Sequence, residues 1–126
     1  MSKVMLVEDD QVMRGLLETL LTMEGHEIVH WESGEDFLWT IKHNQPDVIL
    51  LDVHIRGRGP DDINGFDLLR RIRQDPELKG TTVLVSSGMD FRDKCKQEGA
   101  DGFILKPYAP DELIQLIQQN ITKKKR

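Results

Sequence analysis

Five short apolar segments alternate with helix-like segments along this chain, and no other feature constrains the fold as strongly. Most of the apolar segments are continuous, as expected of strands buried on both faces; they are residues 4–7, 26–31, 48–51, 83–85 and 103–105. Between them, apolar residues recur at helical spacing, as in Val12, Leu16, Leu20 and Met23. Asp10 and Ser33 are candidate N-caps for the first two helices. Because parallel strands require covering helices with right-handed crossovers, the pattern predicts an α/β fold with a doubly wound, five-stranded parallel sheet.

The size and composition fit one such domain. The chain has 126 residues, of which 38% are hydrophobic and 31% are charged. Its net charge is −5, and because residues 123–126 are all basic, the rest of the chain is more acidic still. This charge argues against direct binding to nucleic acid. The single cysteine, Cys95, excludes an internal disulfide. No signal-peptide pattern and no apolar run of about 20 residues is present, so we expect a cytoplasmic protein that does not bind a membrane.

Polar residues follow four of the predicted strands at the point where each strand ends; they are Glu8, Asp9, Asp10, Asp52, Ser86, Ser87 and Lys106. The carboxyl ends of parallel strands meet at one edge of a sheet, so these side chains are expected to share a crevice. Clustered carboxylates repel one another unless a cation intervenes, and oxygen ligands suit Mg²⁺. A carboxylate nucleophile beside Mg²⁺, a lysine and a hydroxyl group is equipped for phosphoryl transfer.

These residues, taken in order, resemble the receiver domain of two-component response regulators, the CheY-like family. The resemblance lies in residues 5–10 (MLVEDD), in Asp52 at the end of an apolar strand, and in residues 99–107 (GADGFILKP). It extends from residue 3 to about residue 121. It implies a flavodoxin-like, CheY-like (βα)5 fold with strand order 2-1-3-4-5. The corresponding domain division is a receiver domain over residues 1–122, followed by a basic tail over residues 123–126.

The resemblance implies a phosphorylation switch and not an enzyme that turns over a separate substrate. Asp52 would accept a phosphoryl group from a sensor histidine kinase or phosphotransfer protein, and the domain would assist its own phosphorylation and dephosphorylation. Mg²⁺ would be held by Asp9 directly, by Glu8 through water, by Asp52, and by the backbone carbonyl of His54. Lys106 would pair with the phosphoryl oxygens.

Two switch residues are also implied. An alignment without gaps places the family's Ser or Thr on Ser87, and a shift of one residue selects Ser86; Ser87 is preferred and both stay open. The switch aromatic falls on Phe103, which has no hydroxyl group, and the bond between Lys106 and Pro107 is expected to be cis. The fourth helix, fifth strand and fifth helix would form the surface that binds a downstream protein or output domain. A homodimer through the same surface stays open.

Two segments depart from the family pattern. The loop after Asp52 contains an insertion of roughly five residues within residues 56–63, and the segment between Gly88 and Gly99 is about three residues short. These departures motivate an alternative function, a receiver-like binding module that works without phosphorylation. A third hypothesis is a Mg²⁺-dependent phosphatase or phosphotransferase acting on a small molecule. That class would need a substrate cap or a second acid–base aspartate at position 54, where this chain has His54.

Overall fold

A computed structural model of the chain describes residues 2–32, 35–55 and 63–124. Strands and helices alternate in it as the sequence predicts. Their bounds are β1 Lys3–Val7, α1 Gln11–Met23, β2 Glu27–His30, α2 Phe37–Asn44, β3 Val48–Asp52, β4 His54–Ile55, β5 Ile63–Asn64, α3 Gly65–Gln74, β6 Thr82–Ser87, α4 Arg92–Glu98, β7 Gly102–Leu105 and α5 Pro110–Lys124. The predicted insertion lies mostly within residues 56–62, which are outside the described residues, as is Ser33.

The main sheet has five parallel strands in the order β2-β1-β3-β6-β7. With the five strands numbered in chain order, this is the predicted order 2-1-3-4-5, so the predicted doubly wound α/β fold is confirmed. The two-residue strands β4 and β5 were not predicted. They form a separate antiparallel ladder in which His54 lies opposite Asn64, and Ile55 lies opposite Ile63.

A hydrophobic core covers each face of the main sheet. Strand β3 contributes to both: Ile49 and Leu51 belong to one core, and Val48 and Leu50 belong to the other. Helices α2, α3 and α4 cover the first face, whereas α1 and α5 cover the second. All five residues of β3 are buried. This double burial explains why the strand is a continuous apolar run in the sequence.

Polar caps define where the first two helices begin. The side chain of Asp10 accepts a hydrogen bond from the Met13 amide at 3.0 Å, which confirms the predicted N-cap of α1. Helix α2 is capped by the side chain of Asp36, which accepts from the Trp39 amide at 2.9 Å, so the prediction of Ser33 as its N-cap is wrong. The peptide bond between Lys106 and Pro107 is cis, as expected.

Helix α4 has only seven residues, in line with the short segment noted in the sequence. Side chains of α3 hold it at its carboxyl end. Arg70 contacts both carboxylate oxygens of Glu98, at 2.8 and 2.9 Å, and Arg73 donates to the Gly99 carbonyl at 2.8 Å. The position of α4 is therefore tied to that of α3.

The last helix extends past the predicted domain boundary. Helix α5 includes Lys123 and Lys124 of the predicted basic tail, whereas Lys125 and Arg126 lie outside the described residues. Within the described part of the chain, no helix has both the length and the apolar character needed to cross a membrane.

Candidate functional site

Three strands of the main sheet bring the predicted acidic residues and the lysine to one edge of the sheet. Glu8 and Asp9 follow β1, Asp52 is the last residue of β3, and Lys106 follows β7. Strand β3 lies between β1 and β6, and Asp52 is opposite Ser86 in the register of β3 and β6. The parallel arrangement thus places the carboxyl ends of these strands together, as the sequence predicts.

Glu8, Asp9 and Asp52 form one acidic cluster. Each offers a carboxylate oxygen, and these oxygens all lie within 4.8 Å of one another. Glu8 and Asp52 are only 6% and 7% exposed, while Asp9 is half-buried. The Lys106 Nζ atom donates to Glu8 Oε2 at 2.7 Å and to Asp52 Oδ2 at 3.0 Å. Four of the predicted site residues, from three separate segments of the chain, therefore meet.

Burial and charge change the pKa values of two groups at this site, Glu8 and Lys106. Burial raises the pKa of Glu8 above its usual range, and the charge of Asp52 adds to this effect, against hydrogen bonds from Lys106 and the Asp10 amide. Burial alone would lower the pKa of Lys106, but its hydrogen bonds to Glu8 and Asp52, with their charges, outweigh burial and raise it. The ammonium group therefore stays charged and contacts the carboxylates of Glu8 and Asp52.

The acidic cluster fits a divalent cation. The carboxylate oxygens of Glu8, Asp9 and Asp52 lie close together, and burial, with the charge of Asp52 added, raises the pKa of Glu8. All the side-chain donors are oxygen atoms, which Mg²⁺ prefers. His54 begins β4, two residues after Asp52, and its side chain is exposed. The position of His54 brings its backbone near Asp52.

Both candidate switch serines end β6 and both are 1% exposed. Ser86 accepts from the Val53 amide through its carbonyl at 3.1 Å. The Ser87 Oγ atom accepts from the Met89 amide at 3.1 Å, and the Ser87 carbonyl accepts from the Lys106 amide at 2.8 Å. These hydrogen bonds link the end of β6 to the residue after β3, Val53, and to the residue after β7, Lys106. They do not separate the two serines, so Ser87 stays a prediction.

Phe103, the candidate switch aromatic, lies on the edge strand β7. It is half-buried and packs against the core on the side of α2, α3 and α4. It also lines a cavity of about 190 Å³ between α4 and β7, together with Cys95 and Gly102. The aromatic ring thus borders free volume next to the shortened helix.

The sequence reasoning did not assign a role to Tyr108. Its hydroxyl group donates to the Met13 Sδ atom at 3.8 Å, and the side chain is half-buried against the core under α1 and α5. Burial raises the pKa of Tyr108 to about 12; the charge of Lys106 opposes this shift and those of Glu8 and Asp52 add to it. Tyr108 therefore lies within electrostatic range of the site. The sequence feature that could have pointed to Tyr108 was its position two residues after Lys106.

Comparison with known proteins identifies the family. The family model described as the response regulator receiver domain matches residues 4–118. The chain therefore belongs to the response regulator receiver domain family. Receiver domains are signalling domains and not turnover enzymes.

Individual relatives agree with this assignment. The transcriptional regulatory protein AfsQ1 from Streptomyces coelicolor is 37% identical over 109 residues, which cover 85% of this chain and 45% of that protein. The response regulator GacA from Pseudomonas aeruginosa is 33% identical, covering 94% of this chain and 55% of GacA. The chain thus spans about half the length of these two relatives. Among solved structures, the chemotaxis response regulator CheY4 of Vibrio cholerae matches with a TM-score of 0.80 and 27% identity, covering 95% of this chain and 98% of that one.

Proposed function

We propose that residues 1–122 act as a phosphorylation-controlled receiver domain in which Asp52 accepts the phosphoryl group. The observation that carries this proposal is the position of Asp52 at a strand end, within 4.8 Å of two other carboxylates and hydrogen-bonded to Lys106. A buried carboxylate that lies beside two other carboxylates and accepts a hydrogen bond from an ammonium group suits attack on a phosphoryl group.

The cation in this proposal is Mg²⁺. Glu8, Asp9 and Asp52 would hold it through their carboxylates, Glu8 by way of a water molecule, and the His54 backbone carbonyl would add a further oxygen ligand. When bound, Mg²⁺ supplies positive charge that offsets the repulsion between the carboxylates and the incoming phosphoryl oxygens. The oxygen-only donor set and the close spacing of the three carboxylates support this choice of metal.

The phosphoryl donor would be a phosphohistidine on a histidine kinase or phosphotransfer protein. An Asp52 carboxylate oxygen forms a bond to phosphorus while the bond between phosphorus and the donor imidazole nitrogen breaks, and the bonding electrons return to that nitrogen. Lys106, which already contacts Asp52, would donate to a phosphoryl oxygen, and the hydroxyl of Ser87 would donate to another. The covalent chemistry therefore needs no residue outside the strand ends.

Phosphorylation would change a binding surface through Ser87 and Phe103. The new phosphoryl oxygens would attract the Ser87 hydroxyl, and Phe103 would turn inward as the end of β6 moves. The hydrogen bond between the Ser87 carbonyl and the Lys106 amide supports coupling between these strand ends. The surface formed by α4, β7 and α5 would then bind a downstream protein or output domain, or a second copy of the chain. Direct contact with nucleic acid is not part of this proposal.

Intact-protein mass after incubation with Mg²⁺ and a small acyl phosphate tests phosphoryl acceptance. We expect one added phosphoryl group on the wild type and none on Asp52→Asn. Asp93→Asn, an exposed position on α4, is the matched control and should be phosphorylated like the wild type. If the wild type stays unmodified and also gives no response to beryllofluoride with Mg²⁺, the binding module that works without phosphorylation becomes the better hypothesis. Turnover of a chromogenic phosphate ester would instead support the small-molecule phosphatase.

A further inference from the structure

The first residue of α3 lies directly against the backbone of Asp52. A Cβ atom built on Gly65 would overlap the Asp52 carbonyl oxygen and would lie 3.0 Å from both the Asp52 carbonyl carbon and the Val53 Cα atom. Gly65 is helical and does not have a positive φ angle. This position therefore requires a residue without a side chain because of the close approach of the backbone, and not because of an unusual conformation.

The Gly65 amide also contacts the peptide unit between Val53 and His54. It donates to the Val53 carbonyl oxygen, with an N···O distance of 2.6 Å. From the opposite side, the Val53 amide donates to the Ser86 carbonyl at 3.1 Å. The two peptide units between Asp52 and His54 are thus held between β6 and the first residue of α3.

Buried side chains and an ion pair resist movement of α3 away from this contact. Phe66 and Ile72 are 2% and 0% exposed, so the helix is anchored in the core. Arg70 adds two hydrogen bonds to Glu98, at 2.8 and 2.9 Å. A side chain at Gly65 would therefore displace the backbone after β3 instead of displacing the helix.

We propose that Gly65 is a positioning residue for the metal site. It sets the backbone between Asp52 and His54, so that the carboxylate of Asp52 and the carbonyl of His54 are directed toward one cation. This inference rests on the proposed function, in which both groups are Mg²⁺ ligands. Gly65 does not touch the metal; it acts through the two peptide units that it contacts. Residues that orient metal ligands typically change metal affinity by about 10–100-fold when they are replaced.

The variant Gly65→Ala tests the proposal, with Mg²⁺ affinity measured from amide shifts in NMR spectra of the folded protein. We expect the Mg²⁺ dissociation constant to rise by about 10–100-fold. Asn64→Ala is the matched control, because it removes the side-chain acceptor of the Phe66 amide at 2.8 Å and destabilises the same end of α3 without adding an atom against Asp52. The control should bind Mg²⁺ like the wild type even if urea unfolding shows a comparable loss of stability. Wild-type affinity in Gly65→Ala would overturn the proposal.

A second measurement decides the matter if Gly65→Ala does not fold. In the wild type, the Gly65 amide resonance should shift along the same Mg²⁺ binding curve as the Glu8 and Asp9 amides, while the Gly99 amide, at the far end of α4, should stay in place. A Gly65 resonance that does not move while those of Glu8 and Asp9 do would overturn the proposal. If the wild type binds no Mg²⁺ at all, the proposed function fails as well. Binding that is equal in wild type and Gly65→Ala refutes only the positioning role.

Discussion

Replacing Lys106 with methionine would remove the ammonium group that contacts two buried carboxylates. With an effective dielectric constant of about 20, unit charges separated by 2.7 and 3.0 Å attract by roughly 6 and 5.5 kcal/mol for Glu8 and Asp52. Most of this attraction offsets the desolvation of the charged groups, and breaking a buried ion pair typically costs about 3–5 kcal/mol. Because the Lys106 side chain is 23% exposed, we expect Lys106→Met to lower the free energy of unfolding by about 2–4 kcal/mol at neutral pH without Mg²⁺.

Glu8 sets the pH dependence of this cost. Burial and the charge of Asp52 raise the pKa of Glu8, and the hydrogen bond from Lys106 opposes them, so removing Lys106 raises that pKa further. A carboxyl group whose pKa is higher in the folded than in the unfolded protein contributes stability at low pH. That contribution is lost as the pH rises through the folded pKa. The cost of Lys106→Met should therefore be largest at neutral pH and should shrink as the pH falls toward about 4.3, the usual pKa of a glutamate.

Urea unfolding at several pH values, with a chelator and then with saturating Mg²⁺, measures both effects. Mg²⁺ should stabilise Lys106→Met more than the wild type, because the cation then replaces the missing positive charge. Lys96→Met, at an exposed position of α4, should stay within about 0.5 kcal/mol of the wild type. A loss below about 1 kcal/mol at neutral pH, or a loss that does not change with pH, would refute this account of the electrostatics.

Three further predictions concern stability, ionisation and switching. Arg73→Met should lower the free energy of unfolding by about 2–4 kcal/mol, because Arg73 donates to three backbone carbonyls and to one carboxylate. The control Arg71→Met, at an exposed position of the same helix, should lower it by less than about 0.5 kcal/mol. Equal losses in urea unfolding would contradict this prediction. Tyr108, the only tyrosine in the sequence, should give no tyrosinate absorbance in the folded protein until the pH approaches about 12. The stability that its raised pKa contributes should be lost as the pH rises through that value. Ionisation near pH 10 would contradict its burial. Ser87→Ala should weaken the amide shifts that beryllofluoride induces in β7, while Ser86→Ala should keep them; the reverse result would assign the switch to Ser86.

The fold was largely predictable because burial on both faces leaves a direct trace in the sequence. Residues 48–51 are all apolar, and they form a fully buried central strand. The cap of α1 was predicted at Asp10 because a short acidic side chain preceding an amphipathic segment suits that role. The ladder of β4 and β5 was not predicted, because two-residue strands have no periodicity that a sequence can reveal.

The acidic part of the candidate site was also predictable, but its supporting residues were not. Glu8, Asp9, Asp52 and Lys106 each follow an apolar strand, and parallel topology brings such positions together. Both Ser86 and Ser87 follow the predicted strand over residues 83–85, so a register uncertain by one residue leaves two candidates. Their burial is the same in the structure, which therefore does not choose between them.

The sequence alone determined the order of strands and helices, the parallel sheet and the acidic strand ends, because each depends on local residue type and spacing. Only the tertiary structure decided which atoms meet across the chain. The contact of Gly65 with the Asp52 carbonyl and the hydrogen bond of Tyr108 to Met13 join segments that are distant in sequence. Such contacts depend on how helices pack on the sheet to within an ångström, and no pattern of residue types encodes a distance on that scale.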